Sequence, residues 1–216
     1  MTTRVVIGDD QPLVRAGLRT ALSGVISDLE VIECHSLDEV MEALSAAAGD
    51  VELVLWDLSM PGIPGFAGLL MLLAQHPTVP VAIISARQDP ATIRRAVAYG
   101  ASGFIPKSLN LDAMAAAISR ILSGEIWIPP NIGGRGAIGD SDLDLANRFA
   151  RLSLQQMRIL AMIVQGRLNK EIAAVLGIAE QTVKGHVSTI LRKLGVASRT
   201  QAAVLAERLA IANEDR

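Results

Sequence analysis

Short apolar runs and helix-length stretches alternate five times in the first 120 or so residues, and this alternation constrains the fold more than any other feature of the chain. Val5-Val6-Ile7 reads as a short buried strand, stopped by Gly8-Asp9-Asp10. Pro12 follows where a first helical turn tolerates it, and Leu13, Val14, Gly17, Leu18 and Leu22 then recur at helical spacing. The pattern repeats with strands at 31–34, 53–57, 81–85 and 103–105 and helices at 36–47, 66–75, 90–99 and 111–122. Ser36 and Glu39 have the spacing of a capping box. Five such units imply an α/β fold, a doubly wound five-stranded parallel sheet with helices on both faces.

Composition narrows the function classes. Only 3% of residues are aromatic, too few for the ring platforms that stack single-stranded nucleic acid. The single cysteine, Cys34, excludes an internal disulfide and suits a reducing compartment. The longest apolar stretch, 66–74, is shorter than a membrane span, and acids at Asp9 and Asp10 interrupt any secretory leader, so the expectation is a cytoplasmic protein without a membrane role. Charge is unevenly spread. Residues 1–123 carry 8 Lys/Arg against 13 Asp/Glu, whereas residues 151–216 carry 10 against 5. An acidic first part and a basic last part imply two domains, the second suited to a polyanion.

The reactive side chains gather at strand ends. The first strand ends in Asp9-Asp10, the third in Asp57, the fourth in Ser85, and Lys107 follows the fifth. In a doubly wound sheet these carboxyl ends open into one crevice. Three carboxylates there repel one another, and a hard divalent cation such as Mg²⁺, held by oxygen ligands, relieves the repulsion. A cation, the Ser85 hydroxyl and the Lys107 ammonium together suit the oxygens of a transferring phosphoryl group, which makes Asp57 a candidate nucleophile.

These residues carry a resemblance. The acid pair Asp9-Asp10, the loop Asp57-Leu58-Ser59-Met60-Pro61 with Gly65, then Ser85-Ala86 and Gly103-Phe104-Ile105-Pro106-Lys107, make residues 1–123 similar to the flavodoxin-like receiver domain of two-component response regulators. The resemblance implies that Asp57 accepts a phosphoryl group from a partner histidine kinase. It implies Mg²⁺ held by Asp10, Asp57 and the Ser59 carbonyl with help from Asp9. Ser85 and Lys107 would respond to the phosphoryl group, and Phe104 takes the place of the aromatic switch. A haloacid-dehalogenase-like hydrolase also uses a strand-end aspartate, but its second acid is replaced here by Ser59.

Residues 124–150 lose the periodicity, and Pro129-Pro130, the glycines at 133–136 and the acids from Asp140 to Asp144 read as an exposed linker. No strand precedes those glycines and no Gly-Lys-Ser/Thr follows, so they are not a phosphate loop. Residues 151–216 are helical throughout, a smaller all-α domain. Ser153 and Gln156 can form a capping box. A helix at 169–176, the turn Gly177-Ile178-Ala179 and a longer helix to about Leu194 read as helix-turn-helix, before a last helix capped by Ser198. On the third helix Val183, Val187, Ile190, Leu191 and Leu194 face inward, and Lys184, Ser188, Arg192 and Lys193 outward.

Asn169-Lys170-Glu171-Ile172-Ala173 with Thr182-Val183-Lys184-Gly185-His186-Val187 resembles the LuxR-type helix-turn-helix. With the receiver, nearly the whole chain is similar to the NarL/FixJ subfamily of response regulators. That resemblance implies a double-stranded DNA operator, with Lys184, Gly185 and Ser188 facing base edges and Lys170, Thr182 and His186 near phosphates, and a homodimer when Asp57 is phosphorylated. The chain departs from the family where Leu168 and Ala179 replace capping hydroxyls, each loss costing about 1 kcal/mol. Gln155-Gln156 stands where an Arg-Glu pair is usual. Gly185 in the recognition helix costs about 1 kcal/mol against Ala. Two alternatives remain at this point: a regulator of this architecture that binds DNA without phosphorylation, and a phosphorelay or protein-binding adaptor that no longer reads DNA.

Overall fold

The computed structural model describes residues 2–47, 49–61, 63, 65–130, 132 and 140–209. Five strands, β1 (Thr3–Gly8), β2 (Leu29–Cys34), β3 (Val51–Asp57), β4 (Val81–Ser85) and β5 (Gly103–Pro106), pair in parallel in the order β2-β1-β3-β4-β5. Between and after them run α1 (Pro12–Ser23), α2 (Leu37–Ala46), α3 (Ala67–Gln75), α4 (Pro90–Ala98) and α5 (Leu111–Leu122). Alternate side chains of each strand go to opposite layers. Val5, Ile7, Leu53, Leu55, Ile84 and Ile105 pack with Leu18, Leu22, Ile118 and Ile121 of α1 and α5. Val6, Val54, Trp56, Ile83 and Phe104 pack with residues of α2, α3 and α4. With both faces covered, the inner strands β1, β3 and β4 carry apolar runs that end abruptly in the polar crevice, whereas the edge strand β2 includes Glu30 and Glu33.

Local chemistry sets the helix ends. Ser36, Asp89 and Asn110 each accept a bond from the backbone N–H three residues on, capping α2, α4 and α5. The second half of the Ser36 box is displaced by one residue, because Glu39 accepts from the N–H of His35. The Ser153–Gln156 box has both of its bonds.

The expected linker is partly ordered. The glycines at 133–136 lie outside the described residues, but Asp140–Ala150 forms a helix, α6, with an Asp144–Arg148 ion pair of 2.5 Å one turn apart. Its buried side Leu145, Ala146 and Phe149 joins the main core, and the helix packs on α3. This explains α3 itself, in which every residue from Ala67 to Leu72 is buried: one side of the helix meets the sheet and the other meets α6. Beyond it, α7 (Leu154–Val164), α8 (Asn169–Leu176), α9 (Glu180–Leu194) and α10 (Arg199–Leu209) complete the all-α unit. Gly177 and Gly195, both left-handed, end α8 and α9.

Among the described residues the two units also touch through polar contacts. The Phe66 N–H donates to the Leu209 carbonyl at 3.3 Å. Arg95, stacked over the rings of Phe66 and Tyr99, donates to the Arg208 carbonyl at 2.6 Å. Asp38 of α2 pairs with Arg158 of α7.

Candidate acidic site and nucleic-acid interface

Asp57 is the last residue of β3, and β1 on one side and β4 on the other bring Asp9 and Ser85 to the same edge. Carboxylate oxygens of Asp9, Asp10 and Asp57 all lie within 4.8 Å of one another. Asp57 and Ser85 are completely buried and Asp9 almost so, while Asp10 is exposed at the mouth. Lys107 closes the cluster: its Nζ lies 2.9 Å from Asp57 Oδ2 and 2.8 Å from Asp9 Oδ2. The Ser59 N–H donates to Asp57 Oδ1 at 3.0 Å, and the Gln11 N–H to Asp9 Oδ1 at 2.8 Å.

Burial raises the Asp57 carboxyl above its ordinary pKa, and the Asp9 charge adds to this. The Lys107 ammonium and the Ser59 N–H oppose it. Burial pulls Lys107 down, but its bonds to Asp9 and Asp57 outweigh that, so the ammonium is held more firmly than a surface lysine. The Lys107 ammonium thus faces two buried carboxylates and is the ion-pair partner of both Asp57 Oδ2 and Asp9 Oδ2. The donor set, all hard oxygens with spare lone pairs and an exposed third carboxylate, fits a divalent cation that keeps several waters. Ser85 Oγ accepts the Arg87 N–H at 3.1 Å, and its carbonyl accepts the Lys107 N–H at 2.7 Å, which ties the β4 and β5 ends together. Phe104, in register with Ile83, is completely buried in the α2–α4 layer.

Sequence reasoning missed Arg15. This α1 side chain is buried, donating from Nη1 to the Asp9 carbonyl at 2.8 Å and from Nε to Glu33 Oε2 at 3.0 Å. The signal was available: Arg15 occupies the stripe that Leu18 and Leu22 bury, an unusual place for a cation.

In the second unit, Lys170, Thr182, Lys184, Gly185 and Ser188 are exposed and His186 is half-buried. Val183, Ile190 and Leu194 are buried beneath them, and Val187 and Leu191 half-buried. Lys184 lies 3.1 Å from Glu180 in an i,i+4 pair. A Cβ at Gly185 would meet nothing, so the glycine leaves an open notch on α9. One expected outward residue turns in. Lys193 donates to the Arg151 carbonyl at 2.7 Å and to Gln156 Oε1 at 2.8 Å, satisfying a nearly buried amide. Neither Leu168 nor Ala179 makes a side-chain cap at the start of α8 or α9. Glu171 compensates in part by accepting the Leu168 N–H at 2.6 Å.

Comparison with known proteins agrees with both halves. Residues 5–119 match the response regulator receiver domain, and residues 150–206 match the bacterial regulatory proteins of the luxR family. The chain is 39% identical over 205 residues to the glycerol metabolism activator of Pseudomonas putida, covering 92% of each. It is 32% identical to the transcriptional regulatory protein LnrK of Bacillus subtilis, covering 96% of this chain and 98% of the other. Among solved structures, a LuxR family DNA-binding response regulator from Silicibacter pomeroyi has 36% identity and a TM-score of 0.52, over 60% of this chain and 98% of that one. RcsB of Salmonella enterica serovar Typhimurium, solved bound to a promoter with a phosphomimetic, shares the fold at 21% identity and a TM-score of 0.54, over 95% and 98%.

Proposed function

Because the chain belongs to the response regulators that join a receiver domain to a LuxR-type DNA-binding domain, we propose that phosphorylation of Asp57 by a partner histidine kinase controls its dimerisation and its hold on an operator. The observation that carries this reading is the buried Asp57, flanked by two acids and bridged to one of them by Lys107. An Asp57 carboxylate oxygen attacks phosphorus, the new O–P bond forms as the P–N bond to the kinase imidazole breaks, and the imidazole leaves with the bonding pair. Lys107, already at hydrogen-bond distance, keeps the developing charge compensated. Asp10, Asp57 and the Ser59 carbonyl, with Asp9, would hold Mg²⁺. When bound, that ion supplies charge neutralisation on the phosphoryl oxygens. Ser85 donates its hydroxyl to the phosphoryl group, and Phe104 repacks with it.

The output passes to the second unit at Phe66, whose N–H holds the Leu209 carbonyl of α10, so that a change at Asp57 alters the hold on α10. Released, α10 and its domain are free to pair with a second copy. Two copies of α9 then present Lys184, Gly185 and Ser188 to major-groove base edges about one DNA turn apart, with Lys170, Thr182 and His186 on the phosphates. Two uncapped helices make each half-site weak, and pairing multiplies them.

Incubating the full chain with labelled acetyl phosphate and Mg²⁺ tests this: label retained by the protein, absent in Asp57→Asn, is expected together with tighter operator binding, and equal labelling of both proteins rejects it. One observation favours a second reading. The outward face of α9 is already exposed with the receiver docked, as a phosphorylation-independent DNA binder requires. Undiminished operator occupancy by Asp57→Ala would select that alternative. Loss of steep salt dependence in DNA binding would select the protein-binding adaptor instead.

A further inference from the structure

Burying a guanidinium is costly unless every donor has a reason, and Glu33 alone does not account for Arg15. Glu33 is a quarter exposed and is shared with Arg19, yet Arg15, 8% exposed, aims Nη1 the other way, at the Asp9 carbonyl 2.8 Å off. That carbonyl lies just past the β1–β2 ladder, which ends with Gly8 opposite Cys34 and one last bond from the Asp9 N–H to the Cys34 carbonyl. The same carbonyl belongs to the peptide joining Asp9 to Asp10. Pinning its oxygen fixes that peptide plane, and with it the direction in which the Asp10 side chain leaves the backbone. Asp10 is exposed, so its backbone is what aims it. We propose that Arg15, held by Glu33, is a positioning residue that orients the Asp9–Asp10 pair for a divalent cation and so sets the cation affinity of the phosphoryl-transfer site. A planar fork does this where a lysine point charge does not, because two donors at a fixed angle address the carbonyl and the carboxylate together.

The proposal rests on the reading of the acid pocket given above, and its test separates the two. Mg²⁺ is titrated into the full chain carrying Trp127→Phe, so that emission comes from Trp56, the buried residue before Asp57. Arg15→Met and Arg15→Lys are compared with that parent. Residues that orient metal ligands typically account for roughly 10- to 100-fold in metal affinity. The half-saturating Mg²⁺ concentration of Arg15→Met is expected to rise by about tenfold or more, with a smaller rise for Arg15→Lys. The initial rate of phosphorylation by acetyl phosphate falls at low Mg²⁺ and returns to the parent rate at saturation. A merely structural role would lower the melting temperature or the plateau rate and leave half-saturation unmoved, and that result overturns the proposal. If Arg15→Met does not fold, Arg15→Lys decides, since it keeps the charge beside Glu33; half-saturation equal to the parent's rejects the idea. A parent that gives no Mg²⁺ response removes the pocket reading, and this proposal falls with it.

Discussion

Replacing Lys107 by Met removes the ammonium that touches both Asp57 and Asp9 while keeping most of the side-chain stem. Two carboxylates exposed by 0% and 1% would then face each other without a counter-charge. Breaking a buried pair by removing one partner costs about 3–5 kcal/mol. For a chain of this size each kcal/mol moves the midpoint by about 2–4 °C, so a fall of roughly 10 °C is expected at neutral pH and low salt without divalent cations. The loss is electrostatic, and it should respond to charge. Thermal unfolding between pH 8 and pH 5 should show the deficit shrinking as one carboxyl takes up a proton, and Mg²⁺ should restore more stability to the variant than to the parent. Adding Asp57→Asn to Lys107→Met should recover most of the loss, a coupling that a double-mutant cycle reads directly. A deficit that stays constant across pH and Mg²⁺ would mean that Lys107 matters through packing of its stem, and would refute the electrostatic account of the pocket.

Other positions give independent checks. Asp57 has a folded pKa above its unfolded value, so its contribution to stability is complete below the unfolded pKa and fades as pH rises through the folded one; Asp57→Asn should therefore stabilise the metal-free chain at pH 7 and flatten that part of the pH profile. Gly68→Ala would place a Cβ 2.5 Å from Cζ2 of the buried Trp56 ring, and overpacking should cost about 1–3 kcal/mol in urea unfolding with a shift in tryptophan emission. Ala179→Ser supplies the missing cap of α9 and should stabilise the C-terminal unit by about 1 kcal/mol in the same assay. Lys184→Ala should change base preference at the operator, whereas Lys170→Ala should weaken all sequences alike and reduce the salt slope by about 1.

The sheet and the acid crevice were legible because β1, β3 and β4 carry apolar runs stopped by polar residues; the Asp9-Asp10 pair, Asp57 and Ser85 mark where they end. The all-α unit was legible from its turn and from the caps of the helices that flank the helix-turn-helix: Gly177 ends α8, and Ser153 and Ser198 cap α7 and α10. What escaped was tertiary in origin. Acids crowd the first turn of α6 and give it the look of a linker, although Leu145, Ala146 and Phe149 recur at helical spacing and α3, apolar all round, requires a cover. A charged residue such as Lys193 normally faces solvent, but the Arg151 carbonyl and the Gln156 amide offer it partners that only the fold brings near. Arg15 is marked in sequence by its place in the buried stripe of α1, but the Asp9 carbonyl it holds has no signature there.

The central claim is that chemistry at Asp57 governs assembly of the DNA-binding unit. It is tested most directly by the solution mass of the full chain in Mg²⁺, with and without beryllofluoride, beside Asp57→Ala. The account predicts a shift from monomer to dimer in the parent alone. An unchanged mass in the parent, or the same shift in Asp57→Ala, would contradict it.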